Sequence, residues 1–290
     1  MNVLETKIFN LINTFDGSVS IYACDNYDNT IKINENMTVE TASCIKVFIL
    51  IEFYKQIMDH KKSRDDTLVY NYETDYLTNG SGIIQYLDGG LTLTSKNMAI
   101  LMMIVSDNIA TDKMIEYLGF DNINNTIKDL GFAKTRLIAK KLDFDLYNKV
   151  GETTAYEYAS IFKMLLNNEI LTPQLCKEII DILSNQQYNQ MLTLKLSLKL
   201  LAERGTENSF INYIASKSGG LGDEGKENIV NCRNDGGIIS TKYGEYVVSI
   251  FINNFKDHYF YNNNPATLIG AEINKMLFEA IEKNDGKFIK

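Results

Sequence analysis

Thr41-Ala42-Ser43-Cys44-Ile45-Lys46-Val47-Phe48-Ile49-Leu50-Ile51 is apolar on nearly every side except for a serine and a lysine three residues apart. Residues spaced by three share one helix face, and a helix that is apolar all round is a buried one. An ammonium group in such a place is costly unless something pairs with it or uses it. Burial and the positive end of the helix dipole both lower a lysine pKa, so Lys46 could offer a neutral amine to take the Ser43 proton. Taken alone, the segment also fits a serine that caps the helix and a lysine that snorkels outward. Cys44 lies beside Ser43, but adjacent helix positions point about 100° apart and only one of the two can face Lys46. Cys44 is therefore expected to be a buried structural thiol.

Outward from this helix the periodicity changes twice. On the N-terminal side an amphipathic helix (Val3, Leu4, Ile8, Leu11, Ile12, Phe15) precedes two alternating stretches, Ser18 to Cys24 and Thr30 to Asn34, joined by the turn Asp25 to Asn29. From Ser43 to about Leu201 the pattern is overwhelmingly helical, with apolar residues at three- and four-residue spacing in Ile45–Met58, Ser95–Val105, Thr111–Leu118, Asn122–Leu130, Thr154–Leu166 and Gln174–Leu183. Strand patterns return at Asn212–Lys217, Ile229–Ser240 and Tyr246–Asn253, followed by a long amphipathic helix through Leu268, Ile273, Leu277 and Ile281. Sheet elements at both ends with helices between them predict an α/β (α+β) chain. Residues 1–38 and 205–290 are expected to form a lobe with an antiparallel sheet covered by the terminal helices. Residues 39–204 are expected to form an all-helical lobe. With only two prolines and no Gly/Ser-rich linker, the lobes should pack together, and the crevice between them is the expected site.

Composition removes several functions. The 29 Lys+Arg against 37 Asp+Glu give a net charge of -8, and no basic stripe with interleaved aromatics occurs, so nucleic acid is not an expected partner. The longest apolar run, Met98 to Val105, is far short of the roughly 18 to 20 residues that span a bilayer, so no membrane span is expected. The N-terminal stretch carries Glu5 and Lys7 inside its amphipathic pattern and reads as a helix rather than a signal peptide, which suggests a cytoplasmic protein or a mature form without its leader. Four scattered cysteines and two histidines, His60 and His258, match no usual zinc pattern and leave few ways to build a Ser/His/Asp triad. Both histidines lie in polar turns and are expected at the surface. Acid–base chemistry should therefore run on lysine, carboxylate or hydroxyl groups.

Two more stretches carry such groups. Ser106-Asp107-Asn108 follows an apolar helix and by itself reads as an N-cap cluster. Lys217-Ser218-Gly219-Gly220 ends a strand; a cation and a hydroxyl followed by glycines that admit a ligand to the backbone suit a carboxylate, although alone the stretch also reads as a turn.

The order S-x-x-K, S-D-N, K-[ST]-G, with the first two among the helices and the third on the sheet, is the signature of class A β-lactamases and penicillin-binding proteins. The surroundings resemble that superfamily too: Val19-Ser20-Ile21-Tyr22-Ala23 its first strand, Leu91 to Thr111 its S-D-N segment, Thr135-Arg136-Leu137 and Thr153-Thr154 the borders of its Ω-loop, and Arg233-Asn234-Asp235-Gly236-Gly237-Ile238 the strand after K-T-G. The resemblance covers nearly the whole chain and implies a β-lactamase/transpeptidase-like fold. It implies Ser43 as the nucleophile that forms an acyl-enzyme, Lys46 as its base or proton relay, and Ser106 as the group passing a proton to the departing nitrogen. Asn108 would hold the substrate amide and Lys46, Lys217 with Ser218 the substrate carboxylate, and the backbone N–H groups of Ser43 and Gly220, the latter following Gly219, the oxyanion. No metal or organic cofactor is implied. The expected substrate is a small molecule, a β-lactam or a peptidoglycan-like peptide.

The chain departs from the family in the Ω-loop. The family has a glutamate a few residues after T-R-L that activates the deacylating water; here the stretch Ile138 to Asn148 is short and places Lys141 at that point. Asp143 or Asp145 would have to substitute, unless they are solvated loop acids. Glu152 matches the acid that closes the loop, with Lys140 its expected partner. The readings left open are a hydrolase that turns over β-lactams, a D,D-peptidase or esterase with the same apparatus, and a sensor that is acylated without turning over.

Overall fold

The structure is a computed structural model that describes residues 2–77, 80–143, 148–188, 191–207, 209–222, 230–261 and 263–289. Helix α1 (Val3–Ile12) opens on a capping box, in which the Asn2 side chain accepts from Glu5 N while the Glu5 carboxylate accepts from Asn2 N. The hairpin of β1 (Ser18–Cys24) and β2 (Thr30–Ile33) turns around Asp25, whose Oδ1 accepts from Tyr27 N and Asn29 N. Strand β3 (Val39–Glu40) leads through a 3-10 turn, Ala42–Ile45, into α2 (Lys46–Met58). There follow β4 (Thr67–Val69), α3 (Tyr72–Asp75), β5 (Thr92–Thr94), α4 (Ser95–Ile104), α5 (Asn108–Leu118) and α6 (Phe120–Asp129). Next come β6 (Arg136–Leu137), β7 (Gly151–Thr153), α7 (Ala155–Leu166), α8 (Pro173–Ser184) and α9 (Leu198–Ala202). The chain ends with β8 (Ile211–Ser216), β9 (Gly219–Leu221), β10 (Cys232–Thr241), β11 (Gly244–Asn253) and α10 (Pro265–Lys283).

Strands from both ends of the chain pair in one antiparallel sheet of order β2-β1-β11-β10-β8, with β9 also on β10. On one side of it Ile8 of α1 and Ile273, Leu277 and Ile281 of α10 pack against Ile21, Ile31, Ile250 and Ile252. The larger core is built around α2: Val47 to Ile51, Phe53 and Tyr54 are all essentially inaccessible, and they meet Met102, Met114, Phe162 and Phe251. A helix walled in on every side holds the groups at its start rigidly.

Two features differ from the expected pattern. The middle of the chain carries two small sheets, β3-β7-β6 and β4-β5, whose two- and three-residue strands are too short to leave a periodic signal. Also, Gly219–Leu221 continues beyond the β8 strand as β9, because Gly219 and Gly220 pair with Asn234 and Arg233 of β10. Residue 229, where a strand was expected to begin, lies outside the described residues. His60 is exposed and His258 half-buried against Tyr259. Among the described residues no helix is long and apolar enough to cross a membrane.

Candidate active site

The 3-10 turn before α2 is forced by its anchors. Ala42 adopts a left-handed backbone (φ 45°), its N–H donating to Glu40 Oε1 at 2.9 Å, and Cys44 N donates to Thr41 O at 3.1 Å. A non-glycine residue at such a φ carries strain on the order of 1–3 kcal/mol and persists where surrounding bonds hold it. From β10, Asn234 Nδ2 donates to Glu40 O (2.8 Å) and Thr41 O (3.3 Å). The result is a half-buried Ser43 at the mouth of an otherwise buried helix.

Lys46 is fully buried. Its Nζ donates to Ser106 O at 2.8 Å, Asn108 Oδ1 at 2.9 Å and Ser106 Oγ at 3.1 Å. Ser106 too has a left-handed backbone (φ 53°), locked by Asp107, whose Oδ1 caps α5 by accepting from Ala110 N while Oδ2 accepts from Ile83 N and Ile84 N. The N-cap reading of S-D-N thus holds for Asp107 itself, and its flanking residues are left to face Lys46.

Lys217, also fully buried, leaves the end of β8 and donates from Nζ to Ser218 O at 2.6 Å and Ser106 Oγ at 3.1 Å. Among the described residues neither lysine has a carboxylate within ion-pairing distance. Burial, reinforced by the Lys217 charge, holds Lys46 well below the usual lysine range, and burial brings Lys217 down to about 8. Two buried ammonium groups bonded to one hydroxyl disfavour each other's charge, and the Lys217 charge is among the causes that lower Lys46.

The strand β9 presses on the turn that carries Ser43. A Cβ at Gly219 would lie 2.8 Å from both Ser43 N and Cys44 N and 2.7 Å from Thr41 O, so only glycine permits the contact. Ser218 Oγ donates to Tyr188 O at 3.1 Å, and Gly220 is half-buried beside it. Beneath, Cys44 Sγ (3.4 Å) and Tyr158 OH (2.9 Å) both donate to Lys217 O. Cys44 is completely buried, and burial pushes its thiol up to about 12, so it is a packing group as expected. The structure thus joins Lys46, Ser106, Asn108 and Lys217 by hydrogen bonds, with Gly219, between Ser218 and Gly220, packed against the turn that carries Ser43.

Residues 3–281 match the model of the beta-lactamase enzyme family. The chain belongs to the beta-lactamase enzyme family. No curated protein sequence matches it. Its fold is shared with a beta-lactamase from Sphaerobacter thermophilus (22% identity, 96% of each chain, TM-score 0.80). PBP-A is similar to it at 21% identity over 98% of this chain and 97% of that one (TM-score 0.81), and TLA-3 extended-spectrum beta-lactamase at 18% over 96% and 98% (TM-score 0.79). The fold is that of beta-lactamases and transpeptidases.

In this member of the beta-lactamase enzyme family the loop after T-R-L is closed by β6 and β7. Ile138 N and Ala139 N donate to Val150 O, and Thr135 Oγ1 lies between Thr153 Oγ1 (2.7 Å) and Glu157 Oε2 (2.6 Å). Glu152 bonds Lys149 (2.7 Å) and Arg136 (2.8 Å) rather than Lys140, which lies over the Phe120 ring; the antiparallel pairing of Arg136 with Glu152 decides this. Lys141 reaches outward, its Nζ donating to Thr74 O at 3.2 Å. Asp143 is half-buried, and Asp145 lies outside the described residues.

Two acids that the motifs did not flag border this site. Glu40 Oε1 accepts from Ala42 N, Val150 N (3.1 Å) and Gly151 N (3.4 Å), joining the turn that carries Ser43 to the end of the loop. Asp112 Oδ1 accepts from Leu142 N at 2.8 Å. The sequence signal for Asp112 was its spacing of four from Asn108, which puts both on one face of α5.

Proposed function

We propose that this chain is a serine hydrolase that opens β-lactam amides through an acyl-enzyme on Ser43. The observation that carries the reading is the convergence of Lys46 and Lys217 on Ser106 Oγ, beside the turn that presents Ser43. Neutral Lys46 takes the Ser43 proton as Oγ attacks the carbonyl carbon. The backbone N–H groups of Ser43 and Gly220 hold the oxyanion, which appears only in the tetrahedral state. Ser106 passes a proton to the nitrogen as the C–N bond breaks, and Asn108 orients the substrate amide and Lys46. Lys217 and Ser218 capture the substrate carboxylate. A crystallised point variant of PBP-A is an acyl-enzyme complex with penicillin G, which supports a penicillin as the first probe.

The expected result is a single penicillin adduct on Ser43 in intact-mass and peptide-mapping experiments, absent in Ser43→Ala. An adduct on Cys44, or outside the crevice, would refute the assignment. One observation favours a second reading: Lys141 stands where the family's hydrolytic glutamate is expected and turns toward Thr74. A long-lived adduct with no turnover would favour a penicillin-binding peptidase or an acylated sensor over a β-lactamase. Asp143 and Asp145 are the loop acids that could otherwise serve deacylation.

A further inference from the structure

Hydrolysis of a Ser43 ester needs a water and a base, and the loop position expected to supply the base holds Lys141. The carboxylate nearest in chemistry comes instead from helix α5. Asp112 lies four residues after Asn108, one turn further along the face that carries Asn108 Oδ1 to 2.9 Å from Lys46 Nζ. Four residues advance a helix by about 6 Å. Asp112 therefore shares the α5 face that meets Lys46.

Asp112 is held for this role on one oxygen only. Its Oδ1 is occupied by Leu142 N, which fixes the carboxylate against the loop, whereas Oδ2 is buried with no hydrogen-bond partner among the described residues. A buried carboxylate oxygen with no donor is costly unless a water or a proton fills it. Leu142 directly follows Lys141, so the bond places Asp112 behind the segment from which the usual base would project.

We propose that Asp112 is the general base for deacylation. This rests on the reading of Ser43 as the acylated nucleophile. In the step, a water gives one proton to Asp112 Oδ2 while its oxygen bonds to the ester carbonyl carbon. The tetrahedral adduct then collapses with cleavage of the bond from that carbon to Ser43 Oγ. The proton on Asp112 returns to Ser43 Oγ, releasing the ring-opened acid and free enzyme.

The surroundings suit a base near neutral pH. Burial raises the Asp112 carboxyl to about 6, the Leu142 N–H and the Lys141 charge oppose the rise, as does Lys46 whenever it is protonated, and Asp75 adds to it. Asp75 is itself bound to Lys113 at 2.7 Å, which reduces its weight.

Asp112→Asn separates the two jobs, because an amide oxygen still accepts from Leu142 N but takes no proton. Acylation by penicillin G and steady turnover of a chromogenic cephalosporin would be measured for the parent, Asp112→Asn, Asp143→Asn and Asp145→Asn. The expected result is an acylation rate for Asp112→Asn within a few-fold of the parent, with release of the adduct slowed by about 10²- to 10⁴-fold. An intact acylation burst shows that the variant's site is folded. In the parent the release rate should fall about tenfold per pH unit below about 6, as expected for one titrating base. Release from Asp112→Asn at the parental rate, a flat parental profile, or loss of turnover only in Asp143→Asn or Asp145→Asn would overturn the assignment to Asp112 and leave the acyl-enzyme reading intact. A parent whose Ser43 adduct persists like that of Asp112→Asn would do the same. A parent that gains no adduct on Ser43 overturns that reading and this inference with it.

Discussion

Lys46 and Lys217 approach one hydroxyl from two elements: each Nζ lies 3.1 Å from Ser106 Oγ, Lys46 from the start of α2 and Lys217 from the end of β8. A hydroxyl can donate one proton and accept two. With one amine neutral, Ser106 can donate to its lone pair and accept from the other, forming a proton path between the two lysines. The acylation rate should therefore depend on both lysines in opposite senses. Lys46 acts as a base only when deprotonated, and burial lowers the pH at which that occurs. Lys217 attracts a carboxylate only while protonated, and it loses its proton at about 8. Second-order acylation by penicillin G should rise with pH on its acidic side and fall as pH passes about 8. Lys46→Ala should lower it by about 10²- to 10⁴-fold. Stopped-flow rates across pH check this, and an alkaline limb that survives in Lys217→Met would assign that limb to another group.

Lys217→Met should make the protein more stable and less able to capture carboxylate-bearing substrates. Holding an ammonium where its pKa is about 8 rather than 10.5 costs about 3 kcal/mol near neutral pH. The folded pKa lies below the unfolded one, so between these values the unfolded chain binds more protons and parental stability rises with pH. The variant should lack that rise. Urea midpoints at about pH 7 and pH 10 test the stability, and analogues without a carboxylate test the capture: they should lose much less than penicillin G does.

The S-x-x-K, S-D-N and K-S-G stretches were legible because each concentrates polar groups against an apolar background. The helices of the middle segment and the strands Ser18–Cys24 and Tyr246–Asn253 were legible for the same reason, since a buried face imposes a period on residues such as Ile21, Ile250 and Phe162. What stayed hidden depends on tertiary pairing. Strands of two residues, such as β3, carry no period, and Glu40 within it reads as an ordinary polar residue until Val150 and Gly151 arrive from more than a hundred residues away. The partner of Glu152 followed the register of β6 against β7, which no local pattern encodes.

Glu40 should behave as a buried acid that prefers its proton. Oε1 accepts three backbone N–H groups, yet Oε2 is buried without a partner among the described residues, and burial raises the carboxyl to about 7. A folded pKa above the unfolded value near 4.5 gives a stabilising contribution that is complete at low pH and is lost as pH rises through about 7. Glu40→Gln, which keeps an acceptor and no charge, should be at least as stable as the parent above about pH 7. Glu40→Ala strands the three donors and should cost about 1–3 kcal/mol or more. Thermal melts of the three proteins across pH provide the check.

Gly219→Ala should disable the site more severely than removal of any substrate-binding hydroxyl. The new methyl would stand 2.7 Å from Thr41 O and 2.8 Å from Ser43 N and Cys44 N, all backbone atoms in a turn already strained at Ala42. Backbone cannot rotate away as a side chain can, so either β9 separates from the turn or the turn unwinds. In the first case Gly220 N leaves the oxyanion position proposed for it, and a single lost donor of that kind costs about 10²- to 10³-fold. In the second, Ser43 itself moves. Ser218→Ala, by contrast, removes a hydroxyl directed at Tyr188 O and leaves the backbone contact untouched. Acylation by penicillin G should therefore fall by at least about 10²-fold in Gly219→Ala and by much less in Ser218→Ala. Because β9 is three residues long and, among the described residues, pairs with β10 alone, its displacement should lower the melting temperature modestly. Parental acylation by Gly219→Ala would mean that Ser43 reacts without the strand pressed against it.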